Sequence, residues 1–348
     1  MTERHKRIIN AVIRKAEERC PDSLALIGVY GSCATGDTHE RSDLDLLILI
    51  NDEGGRCLAD AFILDDADVG YDLYCTTWEM LEEDAECRHP HLGRLMDARV
   101  VYVKDPHAPG RLESLRRRAA NRLYAGTARE HAYEALDKAK LELAECCLAD
   151  GLYLVRLHAA AAVRYLLDAL MLYHGCYFRK GVKRTFEEVV LPEWESDRFV
   201  VKDRVMDVIC GERIEDIREA LAILVRDVRE LMDPPKHKKP PTAEDLKGTY
   251  EEMYSNWRGK VYEAAEREDV FSSFMNLASV DAMLAEVGET VTLGSYNAMK
   301  EFRVYNLRHN ATALDGVLER YLDEYREVGL RPRRFADVEA FLEEYVSG

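Results

Sequence analysis

The chain has 348 residues, which at about 150 residues per domain gives two or three domains with cores of their own. Lys and Arg number 48 against 65 Asp and Glu, a net charge of −17, and 47% of residues are apolar; this excludes a disordered tail or a disulfide-stapled miniprotein and predicts a soluble, globular, acidic protein. A field of that sign repels a phosphate backbone, so bulk nucleic acid and anionic membranes are poor partners, whereas cationic or small neutral substrates fit.

The opening twenty residues place Ile8, Ile9, Val12, Ile13 and Ala16 on one stripe among charges, which predicts an amphipathic helix and not a secretion signal. Three β-prone apolar runs follow at Leu24–Tyr30, Leu44–Ile50 and Val69–Cys75, with a fourth at Val100–Val103. Amphipathic segments at Trp78–Glu86 and His91–Asp97 complete an α/β unit with a small mixed sheet over residues 1–106. From Pro109 to Asp150 and from Leu152 to His174 the spacing becomes helical. Leu136, Leu143 and Leu148, then Leu157, Ala161, Tyr165 and Leu172, are the expected inward stripes, and Gly151 is the break. Residues 107–233 are thus expected to form an all-α bundle. The prolines of DPPKHKKPP cannot continue a helix, so 234–241 reads as a linker whose lysines are a solvated connector rather than a nucleic-acid patch. Residues 242–348 read as a further helical extension with Tyr250, Tyr254, Trp257, Val261, Leu314, Leu318, Tyr321, Leu322 and Tyr325 as apolar faces, making the whole chain α+β. No run approaches about 18 apolar residues without a charge, so no membrane span is expected. Nine cysteines without a CxxC pair point to buried thiols in a reducing cytoplasm, not to disulfides or zinc.

Chemistry concentrates in Val29–Ile50, VYGSCATGDTHERSDLDLLILI. One apolar strand ends at Gly31-Ser32 and another begins with Asp43-Leu44-Asp45. Period two puts Asp43 and Asp45 on one face, with Leu44, Leu46 and Ile48 pointing the other way into a core. Like charges a few ångströms apart repel unless a cation lies between them, and hard oxygen ligands beside phosphates suit Mg²⁺. An acid-x-acid pair arises by chance about a dozen times in so acidic a chain, so its surroundings carry the weight. The Gly31-Ser32 turn frees backbone N–H groups and a hydroxyl for a phosphate oxygen. The third run supplies Asp72 in GYDLY, a carboxylate that is costly inside a strand unless something positive meets it. Three acids on adjacent strand ends can hold a pair of metal ions that clamps the attacking and leaving oxygens of a phosphoryl transfer.

Gly31-Ser32, Asp43-x-Asp45 and a lone acid in the next strand together resemble the signature of the polymerase-β-type nucleotidyltransferase superfamily. An α/β domain followed directly by long helices is similar, within it, to the kanamycin-type antibiotic nucleotidyltransferases; the resemblance covers about residues 1–232 and is densest over 29–75. It implies Asp43, Asp45 and Asp72 as metal-binding catalytic carboxylates and Gly31 and Ser32 as the nucleotide-phosphate contact. It also implies two Mg²⁺ ions, ATP or another nucleoside triphosphate as co-substrate, and transfer of a nucleoside monophosphate to a hydroxyl of a small molecule such as an aminoglycoside. Kanamycin-type enzymes carry a helical glutamate as general base four residues before a phosphate-binding lysine. Glu134 and Lys138 in YEALDKAK stand at that spacing, which is also the commonest favourable surface pair on a helix, and Glu130, Glu142 and Glu145 compete on the same helix. Where some relatives have an arginine after the Gly-Ser turn this chain has Thr35, leaving Arg41 and Lys138 as cations for the triphosphate.

Transfer to a protein or tRNA, and a nucleotide-binding module without turnover, are the alternatives; a homodimer is a further expectation. His158 and His174 read as satisfied histidines at helix interfaces. The Arg303-to-His309 spacing, similar to that of helical RNases of the HEPN type, reads as chance in so negative a field. Trp257 with Tyr250 and Tyr254 reads as core.

Overall fold

The computed structural model describes residues 2–36, 43–66, 68–180, 184–189, 195–233 and 238–347. Two compact units divide the chain, Met1–Pro234 and Pro235–Gly348. Arg41, Ser42 and residues 234–237 of the expected linker lie outside the described residues.

The first unit opens with α1 (Glu3–Arg19), capped by the Thr2 hydroxyl and burying Ile9, Val12 and Ala16, as the stripe predicts. There follow β1 (Leu24–Val29), the single turn α2 (Gly31–Thr35), β2 (Leu46–Ile50), β3 (Asp60–Leu64), β4 (Val69–Leu73), β5 (Cys75–Thr77), α3 (Trp78–Asp84), α4 (Gly93–Met96) and β6 (Arg99–Val103). Four strands form the expected small mixed sheet in the order β5-β2-β1-β6, with β2 antiparallel to β1 and parallel to β5. β2 is buried at every position because it is covered on both faces. Leu46, Ile48 and Ile50 join α1 in one apolar cluster, while Leu47 and Leu49 join the helical side in another. A strand covered twice has no reason to alternate polar and apolar residues.

Two details depart from the sequence reading. β3, DAFIL, is apolar at four of its five positions yet is not among the expected strands; its positions are exposed or half-buried, and it pairs with β4 as a two-stranded ribbon. The run Val69–Cys75 is not one strand of one sheet: β4 belongs to the ribbon, β5 to the main sheet, and Tyr74 is the joint.

The helical part comprises α5 (Ala108–Tyr124), α6 (Arg129–Leu148), α7 (Leu152–Tyr173), the turn α8 (Thr185–Glu188), α9 (Glu195–Cys210) and α10 (Ile214–Met232). The stretch expected to be helical from Pro109 to Asp150 is broken at Gly126, whose φ of +71° only glycine adopts readily. Gly151 separates α6 from α7 as expected, but as the N-cap of α7 rather than a C-cap. The stripes are partly out of phase. Leu148 and Leu157 are 76% and 52% exposed, whereas Ala132, Ala135, Ala139, Ala159 and Ala162 are buried where α6 and α7 meet. Small residues let the two helices close together, and in α7, apolar on nearly every side, large side chains do not single out one face. A single apolar cluster runs from Ala25 and Leu47 through α5 to Met232, so packing is continuous across the 106/107 boundary expected from sequence.

The second unit contains α11 (Ala243–Leu246), α12 (Thr249–Met253), α13 (Gly259–Glu266), α14 (Val270–Val287), α15 (Leu307–Glu327) and α16 (Val338–Ser347), with a π-helical turn at Tyr254–Arg258. Its core takes Tyr250, Val261, Leu314, Leu318, Tyr321 and Tyr325 from the expected faces, with Trp257 and Leu322 partly buried against it. Lys239 of the KHKK run is bridged to Val291 and paired with Asp245 at 2.9 Å, so it is held rather than merely solvated. By length and composition α14 is apolar enough to cross a membrane. Here it buries Ser273, Leu277, Val280 and Leu284 in the unit, and its Asp281 accepts the backbone N–H groups of Ala298 and Met299.

Candidate active site

β1 ends at Val29, but its pairing runs one residue further: the Tyr30 N–H donates to the Asp45 carbonyl at 3.1 Å. With Val29 opposite Leu46 in the antiparallel register, Tyr30 and Asp45 form the next cross-strand pair and share a face. Leu44, Leu46 and Ile48 lie in the cluster beneath α1, so the alternation expected of Asp43 and Asp45 holds, although both precede the strand proper.

The chain turns at Gly31, where φ is +60°, and a Cβ at that position would lie 1.9 Å from Asp45 Oδ2. The missing side chain is what allows the Asp45 carboxylate to sit directly over the turn and accept the Ser32 backbone N–H. Burial, and then the neighbouring Asp43 carboxylate, push Asp45 up from 3.8 to about 6. Ser32 Oγ is buried without a hydrogen-bond partner, beside the Cys33 thiol. Cys33 Sγ in turn lies 3.5 Å from His5 Nδ1 and 3.8 Å from the Asp43 carbonyl, so it ties α1, the turn and the acid segment together. Thr35 closes the turn by donating its hydroxyl to the Gly31 carbonyl at 3.2 Å.

Asp72 lies one strand away. Ile48 is level with Cys75 in the parallel pairing, and carrying that register back three residues sets Asp72 level with Asp45. The ladder does not extend so far, because β4 pairs with β3, Ala61 opposite Asp72. Among the described residues no three His, Cys, Asp or Glu side chains come close enough to surround one ion. The expected three-acid cluster is therefore a pair plus a third acid on the neighbouring strand. The strand departs from β2 at Tyr74, and three carboxylates without a counter-charge repel. The donor set still fits a hard divalent cation carrying phosphate oxygens: two carboxylates, one holding its proton more tightly because of burial and then because of the other, stand beside an unpartnered hydroxyl and a turn too tight for a Cβ.

Residues 9–102 match the family model of the nucleotidyltransferase domain. The N-terminal part of the chain is a nucleotidyltransferase domain. No curated protein matches the sequence. Among solved structures, a nucleotidyltransferase-like protein from Exiguobacterium sibiricum 255-15 aligns with 80% of this chain and 89% of its own, at 11% identity and a TM-score of 0.34, too loose a likeness to carry an argument.

Beyond the nucleotidyltransferase domain, Glu134 and Lys138 lie on the exposed side of α6. The Glu134 carboxylate is 3.2 Å from His131 Nδ1, and Lys138 Nζ is 6.0 Å over the Tyr165 ring. Among the described residues no hydrogen bond or ion pair joins either of them to Asp43 or Asp45. Of the competing acids, Glu142 is engaged by His158 at 2.8 Å, which also satisfies that histidine as expected. Burial pushes His174 down to about 4, so it is neutral. His309 faces Glu301 at 3.7 Å, and the Arg303 N–H is bonded to Asn310. A cavity of about 520 Å³ along α9 and α10, lined by Arg204, Asp207, Arg213 and Asp216, includes none of the acid-pair residues.

Three residues of the site escaped the sequence reading: His5, Tyr30 and Cys33. Tyr30 is raised to about 12 by burial and by Asp45, with the Arg94 guanidinium opposing. The signal for Tyr30 was its parity with Asp45 across the strand pair, which has no meaning until the pairing is known.

Proposed function

We propose that this chain moves a nucleoside monophosphate, AMP from ATP, onto a hydroxyl of a small molecule and releases pyrophosphate. The observation that carries this reading is the Asp45 carboxylate seated over Gly31, beside Asp43 and the unpartnered Ser32 hydroxyl, within a nucleotidyltransferase domain. Asp43 and Asp45, joined by Asp72, would hold two Mg²⁺ ions, which when bound neutralise charge on the triphosphate and on the leaving group. Gly31 gives the Asp45 carboxylate its place over the turn, and Ser32 Oγ, having no internal partner, donates to a phosphate oxygen. Glu134, oriented by His131, takes the acceptor's hydroxyl proton. The acceptor oxygen then bonds to the α-phosphorus in line as the α–β bridging bond breaks, and that electron pair leaves with pyrophosphate. Lys138 and Arg41 remain candidate cations toward the triphosphate.

The net charge of −17 supports a cationic acceptor of the aminoglycoside kind over nucleic acid, since a carboxylate-lined cleft raises the local concentration of cations. Nine free thiols support a reducing, cytoplasmic setting. The test is α-labelled ATP, and the other nucleoside triphosphates in turn, offered with Mg²⁺ to aminoglycosides, lincosamides, tRNA and proteins. Label on a small molecule is the expected result. Label on tRNA or protein reassigns the acceptor, and a nucleotide bound with no label transferred reassigns the chain to a binding module.

A further inference from the structure

Away from the acid pair, two thiols far apart in sequence are in contact: Cys57 Sγ lies 3.5 Å from Cys20 Sγ, 37 positions away along the chain. Cys20 ends α1 as its C-cap, its N–H donating to the Ala16 carbonyl and its own carbonyl accepting the Ser23 N–H. Cys57 sits in a 3-10 turn, Glu53–Leu58, that follows β2 and is capped by Asp52, whose carboxylate accepts the Gly54 N–H at 2.8 Å. The two segments are pinned together beside the pair. Ser23 Oγ donates to Asp52 Oδ1 at 2.7 Å, and the Asn51 N–H to the Ser23 carbonyl at 2.7 Å. Leu58, next to Cys57, is buried in the cluster beneath α1. The thiol contact is therefore set by backbone fixed on both sides, not by two free side chains meeting on a surface.

The two sulfurs are unequal. Cys57 is exposed, so an oxidant in solution reaches it, whereas Cys20 is only 7% exposed. Burial, and then the hydrogen bond with Cys57, raise the Cys20 thiol to about 11, which keeps it protonated and inert toward reagents in solution. Contact with Cys57 offsets its small thiolate fraction, since a neighbour held in place reacts at a high effective concentration. The third thiol of this region, Cys75 on β5, is buried and donates to the Gly55 carbonyl at 3.5 Å. An accessible sulfur thus touches a shielded one, as an attacked thiol touches the thiol that resolves it.

We propose that Cys57 is an oxidation site and that Cys20 closes on it as a reversible disulfide when a peroxide arrives. Hydrogen peroxide gives one oxygen to Cys57 Sγ, forming a sulfenic acid, and departs as water. The Cys20 sulfur then bonds to Cys57 Sγ, the S–O bond breaks, and the departing hydroxide takes the Cys20 proton as a second water. Two thiols and one peroxide give one disulfide and two waters, and a dithiol reductant returns the pair to its starting state. The bond closes a loop that contains β1, the Gly31 turn, Asp43, Asp45 and β2, so the segment it clasps is the one that bears the acid pair.

The test exposes the reduced full chain to hydrogen peroxide, blocks the remaining thiols with N-ethylmaleimide and maps the peptides by mass spectrometry. The expected product is a Cys20–Cys57 linked peptide that dithiothreitol removes, from a chain that melts about 5–10 °C above its reduced form. Cys20→Ala, treated alike, should show no rise in melting and should leave Cys57 as a sulfenic acid that dimedone traps. Cys57→Ser should leave Cys20 unmodified, because the oxidant does not reach it; melting of the two reduced variants checks that both fold. Cys57 carried on to sulfinic acid with Cys20 still free, or Cys57 bonded to Cys75, overturns the pairing. Cys20 oxidised as fast in Cys57→Ser as Cys57 is in the parent overturns the order of attack, and a linked chain that melts with the reduced one overturns the clasp.

Discussion

Replacing Asp45 by Asn keeps the side-chain shape and an acceptor for the Ser32 N–H while removing the charge. Burial and Asp43 raise Asp45 from 3.8 to about 6, so the folded chain holds this proton more tightly than the unfolded chain does and the ionised carboxylate opposes folding. The gap corresponds to about 3 kcal/mol, and partial exposure of the carboxylate screens it to about 1–2 kcal/mol. The sign follows from the raised value. Stability is intact below 3.8, is lost as the pH rises toward about 6, and stays lost above it. In EDTA at about pH 8, Asp45→Asn should therefore melt about 2–6 °C above the parent, and the difference should close as the pH falls toward about 3.5. Added Mg²⁺ should raise the melting temperature of the parent and not of the variant, since only the parent keeps both carboxylates for the ion. Nucleotidyl transfer by the variant should fall about a thousandfold or more. A variant that melts below the parent at high pH, or that transfers at the parental rate, would refute the account of Asp45 as a strained, metal-seeking carboxylate.

Gly31→Ala places a Cβ 1.9 Å from Asp45 Oδ2 at a φ of +60°; melting should drop and single-turnover transfer should fall about 100-fold or more, and parental turnover would mean that the carboxylate need not sit there. Ser32→Ala removes a buried hydroxyl that has no partner, so melting should hold or rise slightly while triphosphate affinity falls about tenfold; calorimetry showing equal affinity removes Ser32 from the phosphate contact. Glu134→Gln should lower kcat by about 100-fold with the KM for nucleotide unchanged and little change in melting, because the carboxylate is exposed; an unaltered turnover passes the base role to another acid on α6.

The two central strands of the main sheet, β1 and β2, were legible because LALIGV and LLILI are too uniformly apolar to be anything but covered, and the acid pair was legible because Leu44, Leu46 and Ile48 fix which way Asp43 and Asp45 point. β3 was missed although DAFIL is largely apolar: the run is only four apolar residues long, and its place in a ribbon apart from the main sheet follows from its pairing with β4. The phase of α7 was hidden for the opposite reason: nearly every residue is apolar, and the alanines that decide the close approach of α6 give no pattern of their own. The tie from His5 through Cys33 to the Asp43 carbonyl, and the contact of Cys57 with Cys20, join residues separated by 28, 10 and 37 positions, and only the fold brings them into contact.

The unbroken apolar seam from Leu47 to Met232 bears on how the molecule can be dissected. Severing the chain after residue 106 would take Ala108, Leu112, Leu115, Ala119 and Leu123 of α5 out of the cluster that also holds Leu47, Trp78, Leu81 and Leu95, baring part of it to water and leaving the excised fragment sticky and aggregation-prone. A fragment intended to stand alone should instead end near Asp233, where the first unit closes on itself.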